Sequence, residues 1–393
     1  MATIDADQAY DIIYTLTFPA AEGTCPIRLY RGSSTAFAGT VYYRAGTSGE
    51  WTELSVSSTT TTIFPITATT MQVAHDWNKD GNNYMTASFQ GETKLTGIAI
   101  SQKAVLSGAM GNYFMYYFAN GCSNLSALAV PDTSGLTSVG NYFLAYYAYT
   151  CSNLSALGVP DTSGLTSVGD YFMYHYAYGC SSLTSLGVPD TSGLTSVGDY
   201  FMAYYARGCS NLTSLGVPDT SELTSVGDYF MAYYARGCSN LTSLSVPDTS
   251  GLTSVGTYFM FYYARDCSNL TSLGVPDTSG LTSVGDNFMH SYASNCSNLT
   301  SLAVPDTSGL TSVGANFMYN YAYGCESLTE LVLPKVGWFA THDVNWDVPS
   351  SRLGILKGYT LKYADLAGWR ALTASGRTLY INYIQDADDV IID

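Results

Sequence analysis

The sequence predicts an α/β solenoid: eight 29-residue strand–turn–helix units stacked in a curved arc, with a β-sandwich-like domain before them and a cap after them. Three observations predict it. Eight of the nine cysteines, Cys122, Cys151, Cys180, Cys209, Cys238, Cys267, Cys296 and Cys325, recur at a spacing of 29 residues. The text between them repeats nearly unchanged, and a fixed period of about 20 to 50 residues marks units that bury their apolar faces only against the next copy. Within each unit, the residues that stay constant and those that vary segregate at helical spacing.

The unit reads as follows. Leu212-x-x-Leu215-x-Val217 places three apolar side chains on a short strand that Pro218 ends, with Thr213, Ser214 and Gly216 facing outward. Asp219-Thr220-Ser221-Glu222 is a turn, and Leu223 to Val226 a second short extended piece. Gly227-Asp228 offers an N-cap to a helix. In the copy starting at Asp199, Phe201, Met202, Tyr205, Ala206 and Cys209 are nearly constant across units, at spacings that line one helix face. Positions 199, 200, 203, 204, 207 and 208 vary and occupy the opposite face. Strands stack about 4.8 Å apart and helices about 8 to 10 Å, so a strand side and a helix side with equal unit counts must curve, with the variable face convex.

The phrases Cys-Ser-Asn-Leu-Thr-Ser-Leu, Val-Pro-Asp-Thr-Ser and Val-Gly-Asp-x-Phe resemble the BspA-like leucine-rich repeats of microbial surface proteins. The resemblance covers about 111 to 334 and implies an α/β leucine-rich-repeat solenoid acting in adhesion and host binding. This unit is longer than the family's common one and carries an extended aromatic segment.

Residues 1–104 carry short alternating runs, Tyr10 to Phe18, Val41 to Arg44 and Thr62 to Ile66, separated by Gly and Ser turns, which suggests a β-sandwich-like domain. The solenoid then occupies 105–334. In 335–393 the repeat decays into a C-terminal cap with Trp338, Trp346 and Trp369, a helical stretch near Tyr363 to Leu372, and an acidic tail from Gln385 to Asp393.

A net charge of -16 argues against a phosphate-backbone partner, since nucleic-acid affinity comes from Lys and Arg displacing counterions. No run reaches membrane-spanning length. Met1 to Asp7 has neither a basic nor an apolar signal-peptide region. With surface-protein-like repeats, this places the protein outside the cell or on a virion, as a component released by lysis or separated from its leader.

No catalytic set assembles. His75, His175, His290 and His342 share no offset with the cysteines, which read as buried free thiols held too far apart by helix spacing to form disulfides. Asp132, Asp161, Asp190, Asp219, Asp248, Asp277 and Asp306 recur in the Pro-Asp-Thr-Ser turn and read as structural turn residues accepting backbone hydrogen bonds, with a Ca2+ ladder as the alternative. Asp76, Asn78 and Asp80 match the first half of a calcium loop, but Ala87 stands where the bidentate Glu belongs, so a hairpin turn is expected. Asn124, Asn153, Asn211, Asn240, Asn269 and Asn298 fit the glycosylation sequon, yet one shared repeat position explains them as turn asparagines.

The variable face is the candidate binding surface. Its six positions hold only Tyr, Asn, Asp, Ala, Ser, Thr, His, Arg, Gly and Phe, never the Lys, Glu and Gln that an exposed helix favours. Tyr with small polar residues and Arg is the composition of an antibody paratope. All ten types are reachable from an Asn codon by changing adenines, which resembles variable proteins of diversity-generating retroelements. The candidate residues are Tyr113, Tyr116 and Tyr117; Tyr142 and Tyr146; Tyr171, Tyr174 and His175; Tyr200, Tyr204 and Arg207; Tyr229, Tyr233 and Arg236; Tyr258, Phe261, Tyr262 and Arg265; Asn287 and His290; and Asn316, Tyr319 and Asn320. The expected function is non-enzymatic recognition of a protein or glycan on a target cell, as in a phage receptor-binding or cell-surface component. A self-assembling surface or virion protein is one alternative. An ice- or polysaccharide-binding solenoid, using Thr-Ser pairs such as Thr213-Ser214 and Thr242-Ser243, is another.

Overall fold

The computed structural model describes residues 3–5, 8–306, 309–328, 330–333, 360–363 and 391–392. Nine strands precede the repeats: β1 (Thr3–Ile4), β2 (Ile12–Thr17), β3 (Thr24–Tyr30), β4 (Gly39–Ala45), β5 (Thr52–Val56), β6 (Thr62–Pro65), β7 (Thr70–His75), β8 (Thr86–Ser88) and β9 (Gly97–Gln102). They form one sheet in the order β1-β9-β2-β7-β4-β5 and a second in the order β6-β3-β8. Ile12, Tyr14 and Leu16 of β2 and Ile27 and Leu29 of β3 are fully buried in one core, the alternation expected of strands covered on one face.

That core continues without a break into the repeats, as far as Leu328. The sheet continues too, because β9 pairs in parallel with Ala127–Leu128 of the first repeat. Asn83 to Gln102 is in effect a degenerate leading turn. Asn112 N–H donates to Asn83 Oδ1 at 2.9 Å, as Asn141 N–H does to Asn112 Oδ1 at 2.8 Å one turn later. Leu95, Ile98 and Ile100 are buried in line with Leu125, Leu128 and Val130.

In the repeats the structure overturns the predicted helices. Among the described residues there is none, and the region is a β-solenoid. Most turns contribute two short parallel strands, such as Ser214–Leu215 and Ser225–Val226, paired in register with their equivalents 29 residues away. The segment expected to be helical is a run of tight turns. Tyr200, Met202 and Tyr204 have φ of 57°, 48° and 59°, alternating with neighbours whose φ is not positive. Left-handed backbone costs a non-glycine residue about 1–2 kcal/mol, and hydrogen bonds between turns offset it. Tyr200, Tyr204 and Ala206 N–H donate to the carbonyls of Asp228, Ala232 and Tyr234 at 2.7, 2.8 and 2.9 Å.

Two physical reasons explain the misreading. Turns closed by bonds such as Ala203 N–H to Tyr200 O at 3.2 Å and Arg207 N–H to Tyr204 O at 3.3 Å put residues two in, two out. That pattern reproduces the i, i+1, i+4, i+5 spacing of a helix face. Spacing decides between the two. Stacked core rings such as Phe172–Phe201 and Tyr176–Tyr205 lie 5.5 Å apart, too close for helices, which need about 8 to 10 Å. Every side of the unit therefore advances by about one strand spacing, and no wide side exists to bend the stack into a horseshoe.

The same spacing corrects the expected reason for free thiols. All nine cysteines are free and buried, but they are not held apart by helices. Each repeat thiol sits one turn from the next and donates to a carbonyl of the preceding turn, as Cys209 Sγ does to Ala177 O at 3.0 Å. Burial pushes the Cys209 thiol up to about 12. Thr360–Tyr363 is a strand paired with Glu330–Leu333. Of the helical stretch expected near Tyr363 to Leu372, all but Tyr363 lies outside the described residues, as do Trp338, Trp346 and Trp369.

Candidate functional site

The turn segments set their side chains in columns along the solenoid axis, one residue per turn. Facing inward are a Phe column through Phe201 and a Tyr column through Tyr205, both buried along their described length. The inner hydroxyls are satisfied by the chain itself: Tyr205 OH donates to Gly187 O at 2.8 Å and Tyr234 OH to Gly216 O at 2.6 Å.

Facing outward are the predicted site residues. Tyr113, Tyr142, Tyr171, Tyr200, Tyr229 and Tyr258 form one column with ring centroids 4.2–4.6 Å apart and nearly parallel planes, and Asn287 and Asn316 continue it. Tyr117, Tyr146, His175, Tyr204, Tyr233 and Tyr262 form a second, which Ser291 and Asn320 continue. Most of these rings are half-buried, because stacking consumes their faces, and hydroxyls such as those of Tyr204 and Tyr233 hydrogen-bond along the column. Burial raises the pKa of Tyr204 and Tyr229, whose hydroxyls therefore stay protonated.

Between the two columns runs a third: Tyr116, Ala145, Tyr174, Ala203, Ala232, Phe261, His290 and Tyr319. It is the floor under the tyrosines, with Ala203 and Ala232 fully buried and Tyr116 and Phe261 at 6% and 8%. Tyr116 and Phe261 are thus supports for the display columns rather than exposed contacts. His175, 8% exposed and stacked between Tyr146 and Tyr204, has its pKa lowered to about 3 by burial and then by nearby Arg207. His290 is lowered to about 4 for the same two reasons, in the order burial, Arg265.

A fourth column, Tyr149, Tyr178, Arg207, Arg236 and Arg265, flanks the second. Arg207 lies 5.2, 5.5 and 5.3 Å from the ring centroids of Tyr178, Tyr204 and Tyr233. Asp266 meets Arg236 Nε at 3.1 Å and Arg265 Nε at 3.5 Å. Tyr149, Tyr178 and Asp266 were not singled out from the sequence, although they share the registers of Arg207 and Gly208.

The other candidates have structural partners. The repeat aspartates cap their own turn, as Asp190 Oδ1 accepts from Ser192 N–H at 3.0 Å and Ser192 Oγ at 2.7 Å, rather than bonding the next turn's backbone. The inter-turn bond falls to the following threonine, Thr162 Oγ1 donating to Asp190 O at 2.7 Å. Asp80 and Asn83 close a turn by mutual backbone bonds of 3.0 Å, and Arg31 donates to Asn78 Oδ1 at 3.2 Å, where a cation's ligand would stand. Asn153 Nδ2 donates to Asn124 Oδ1 at 3.2 Å in an asparagine ladder. Thr213 and Ser214 are exposed, and Thr213 Oγ1 donates to Thr184 O at 3.0 Å.

A solenoid with an apolar interior and stacked, outward aromatic columns is a repeat scaffold presenting a surface. The model of the BspA type leucine rich repeat region matches residues 113–320 in six copies, and the chain belongs to that family. A leucine-rich repeat protein from Bacteroides ovatus ATCC 8483, known from a crystal structure, is 18% identical, with 70% of this chain and 85% of that chain covered. Its TM-score of 0.19 does not establish a shared spatial arrangement. Among curated proteins there is no match.

Proposed function

We propose that the protein is a non-enzymatic recognition or adhesion protein, acting at a cell or virion surface, that binds a protein or glycan on a target cell through its outer tyrosine columns. One observation carries this reading: two adjoining columns of aromatic rings lie on the outside of a scaffold whose core is already filled by two other aromatic columns. Rings that lie outside the main core yet recur on six successive turns are positioned for contact. Pre-stacked tyrosines lose little side-chain entropy on binding, as in antibody paratopes. BspA-type membership supports a surface role. The Thr-Ser face is less suited to a ligand, because threonine hydroxyls such as that of Thr213 are already spent on the preceding turn.

A glycan and cell-binding screen of the full chain, repeated with a Tyr200→Ala, Tyr204→Ala, Tyr229→Ala, Tyr233→Ala variant, tests the reading. Binding that falls by several kcal/mol in the folded variant is expected of hot-spot tyrosines. Unchanged binding would overturn it.

A further inference from the structure

Residues 105–334 contain three cationic side chains, Arg207, Arg236 and Arg265, and all three occupy one column on consecutive turns. In a chain of net charge -16 this is a local reversal of sign, and beyond about 8 Å the surrounding charge is screened at physiological salt.

Asp266 shows what such a column holds. Its carboxylate sits beside Arg236 of the preceding turn and Arg265 of its own, and Asn295 Nδ2 donates to it at 2.7 Å. In the preceding turn the same register is Gly237, with φ of 77° and nothing closer than 3.7 Å to a Cβ built there. One turn back, therefore, Arg207 and Arg236 flank the place of a carboxylate that the chain itself does not supply. Arg207 meets three tyrosine rings there and donates to no acceptor among the described residues.

We infer that the space over Gly237 is a carboxylate-binding site, and that its ligand is an acidic polysaccharide lying along the solenoid axis. The inference rests on the reading that the outer face is the recognition surface. A guanidinium offers paired donors matched to a carboxylate. The flanking tyrosines, with faces consumed by stacking, offer edges and hydroxyls to sugar hydroxyls. Turns advance by about 4.8 Å, close to the length of one sugar in an extended chain, so one uronate can lie over Gly237 while the sugars beside it meet the tyrosine edges of adjoining turns and direct their own carboxylates away from Asp266. An acidic protein segment has no such periodic match.

The test uses the full chain and polygalacturonate, with its methyl ester, a neutral dextran and polyglutamate as comparisons. Wild-type protein should bind polygalacturonate and neither the ester nor dextran. Arg207→Gln should weaken binding by about tenfold or more, equivalent to ~1.4 kcal/mol. Gly237→Asp should do the same by placing an internal carboxylate in the site, while Gly237→Asn, matching Asn295 at φ 63° in the same register, should bind better than the aspartate variant. Asp266 at φ 66° shows that the register accepts aspartate, and Arg207→Gln decides the matter if Gly237→Asp does not fold. Equal binding by Arg207→Gln, equal binding of the methyl ester, or tighter binding of polyglutamate would overturn the inference. So would binding of neutral glycans or uncharged proteins alone, which leaves the outer-face reading standing if the four-tyrosine variant loses it.

Discussion

Where a turn carries both inner and outer tyrosines, they are the same residue type at nearly the same spacing, with opposite roles. Tyr205 is fully buried, stacks 5.5 Å from its neighbours and spends its hydroxyl on Gly187 O. Tyr204, one residue earlier, stacks 4.2 Å from Tyr233, is half-buried and meets Arg207. One ring is bound into the fold on all sides; the other is held by its neighbours and open at its edge. Stacking alone therefore does not distinguish core from display, and the fate of the hydroxyl does.

This contrast breaks down first under truncation. Phe201→Ala or Tyr205→Ala should destabilise the protein by about 3–5 kcal/mol, the range for a buried aromatic and the cavity it leaves, measured by urea unfolding. Tyr200→Ala should cost less, about 1–2 kcal/mol from stacking contacts with Tyr171 and Tyr229. Tyr205→Phe should cost about 0.5–1.5 kcal/mol, the loss of one hydrogen bond to the carbonyl of the exposed Gly187. If Tyr200→Ala proved as costly as Tyr205→Ala, the outer column would be core.

A further effect concerns pH. His175 is held neutral, its pKa lowered from 6.5 to about 3. The unfolded chain takes up that proton at higher pH than the folded one, so its contribution is present above pH 6.5 and is lost as pH falls toward 3. His175→Tyr, restoring the ring found at Tyr146 and Tyr204, should flatten the acid limb of a stability–pH curve. An unchanged limb would show that His175 is not neutral in the folded state.

Much of this was legible in the sequence because the repeat reports on itself. The constancy of Phe201, Met202, Tyr205, Ala206 and Cys209 identified the core face, and all five are at most 1% exposed. The variation at 200, 204 and 207 identified the outer face. The backbone was misread because two-in, two-out turns and a helix share a side-chain pattern, while the hydrogen bonds that separate them, such as Tyr204 N–H to Ala232 O, join residues 28 apart. The leading turn at Asn83 to Gln102 was missed because its aromatic segment has diverged. Leu95-x-x-Ile98-x-Ile100 nevertheless kept the strand signature of Leu125-x-x-Leu128-x-Val130. Nothing in a linear pattern marks Gly237 as an open place, since only the carboxylate of Asp266 one turn on reveals it.

Hydroxyl-radical footprinting read by mass spectrometry tests most directly the claim that one tyrosine column is core and its neighbour is display. Oxidation should concentrate on Tyr200, Tyr204, Tyr229 and Tyr233, with Tyr205, Tyr234, Phe201 and Phe230 protected until the protein unfolds, as their burial requires. Equal labelling of Tyr204 and Tyr205 in the folded protein, or protection of the outer set with labelling of the inner, would contradict the account.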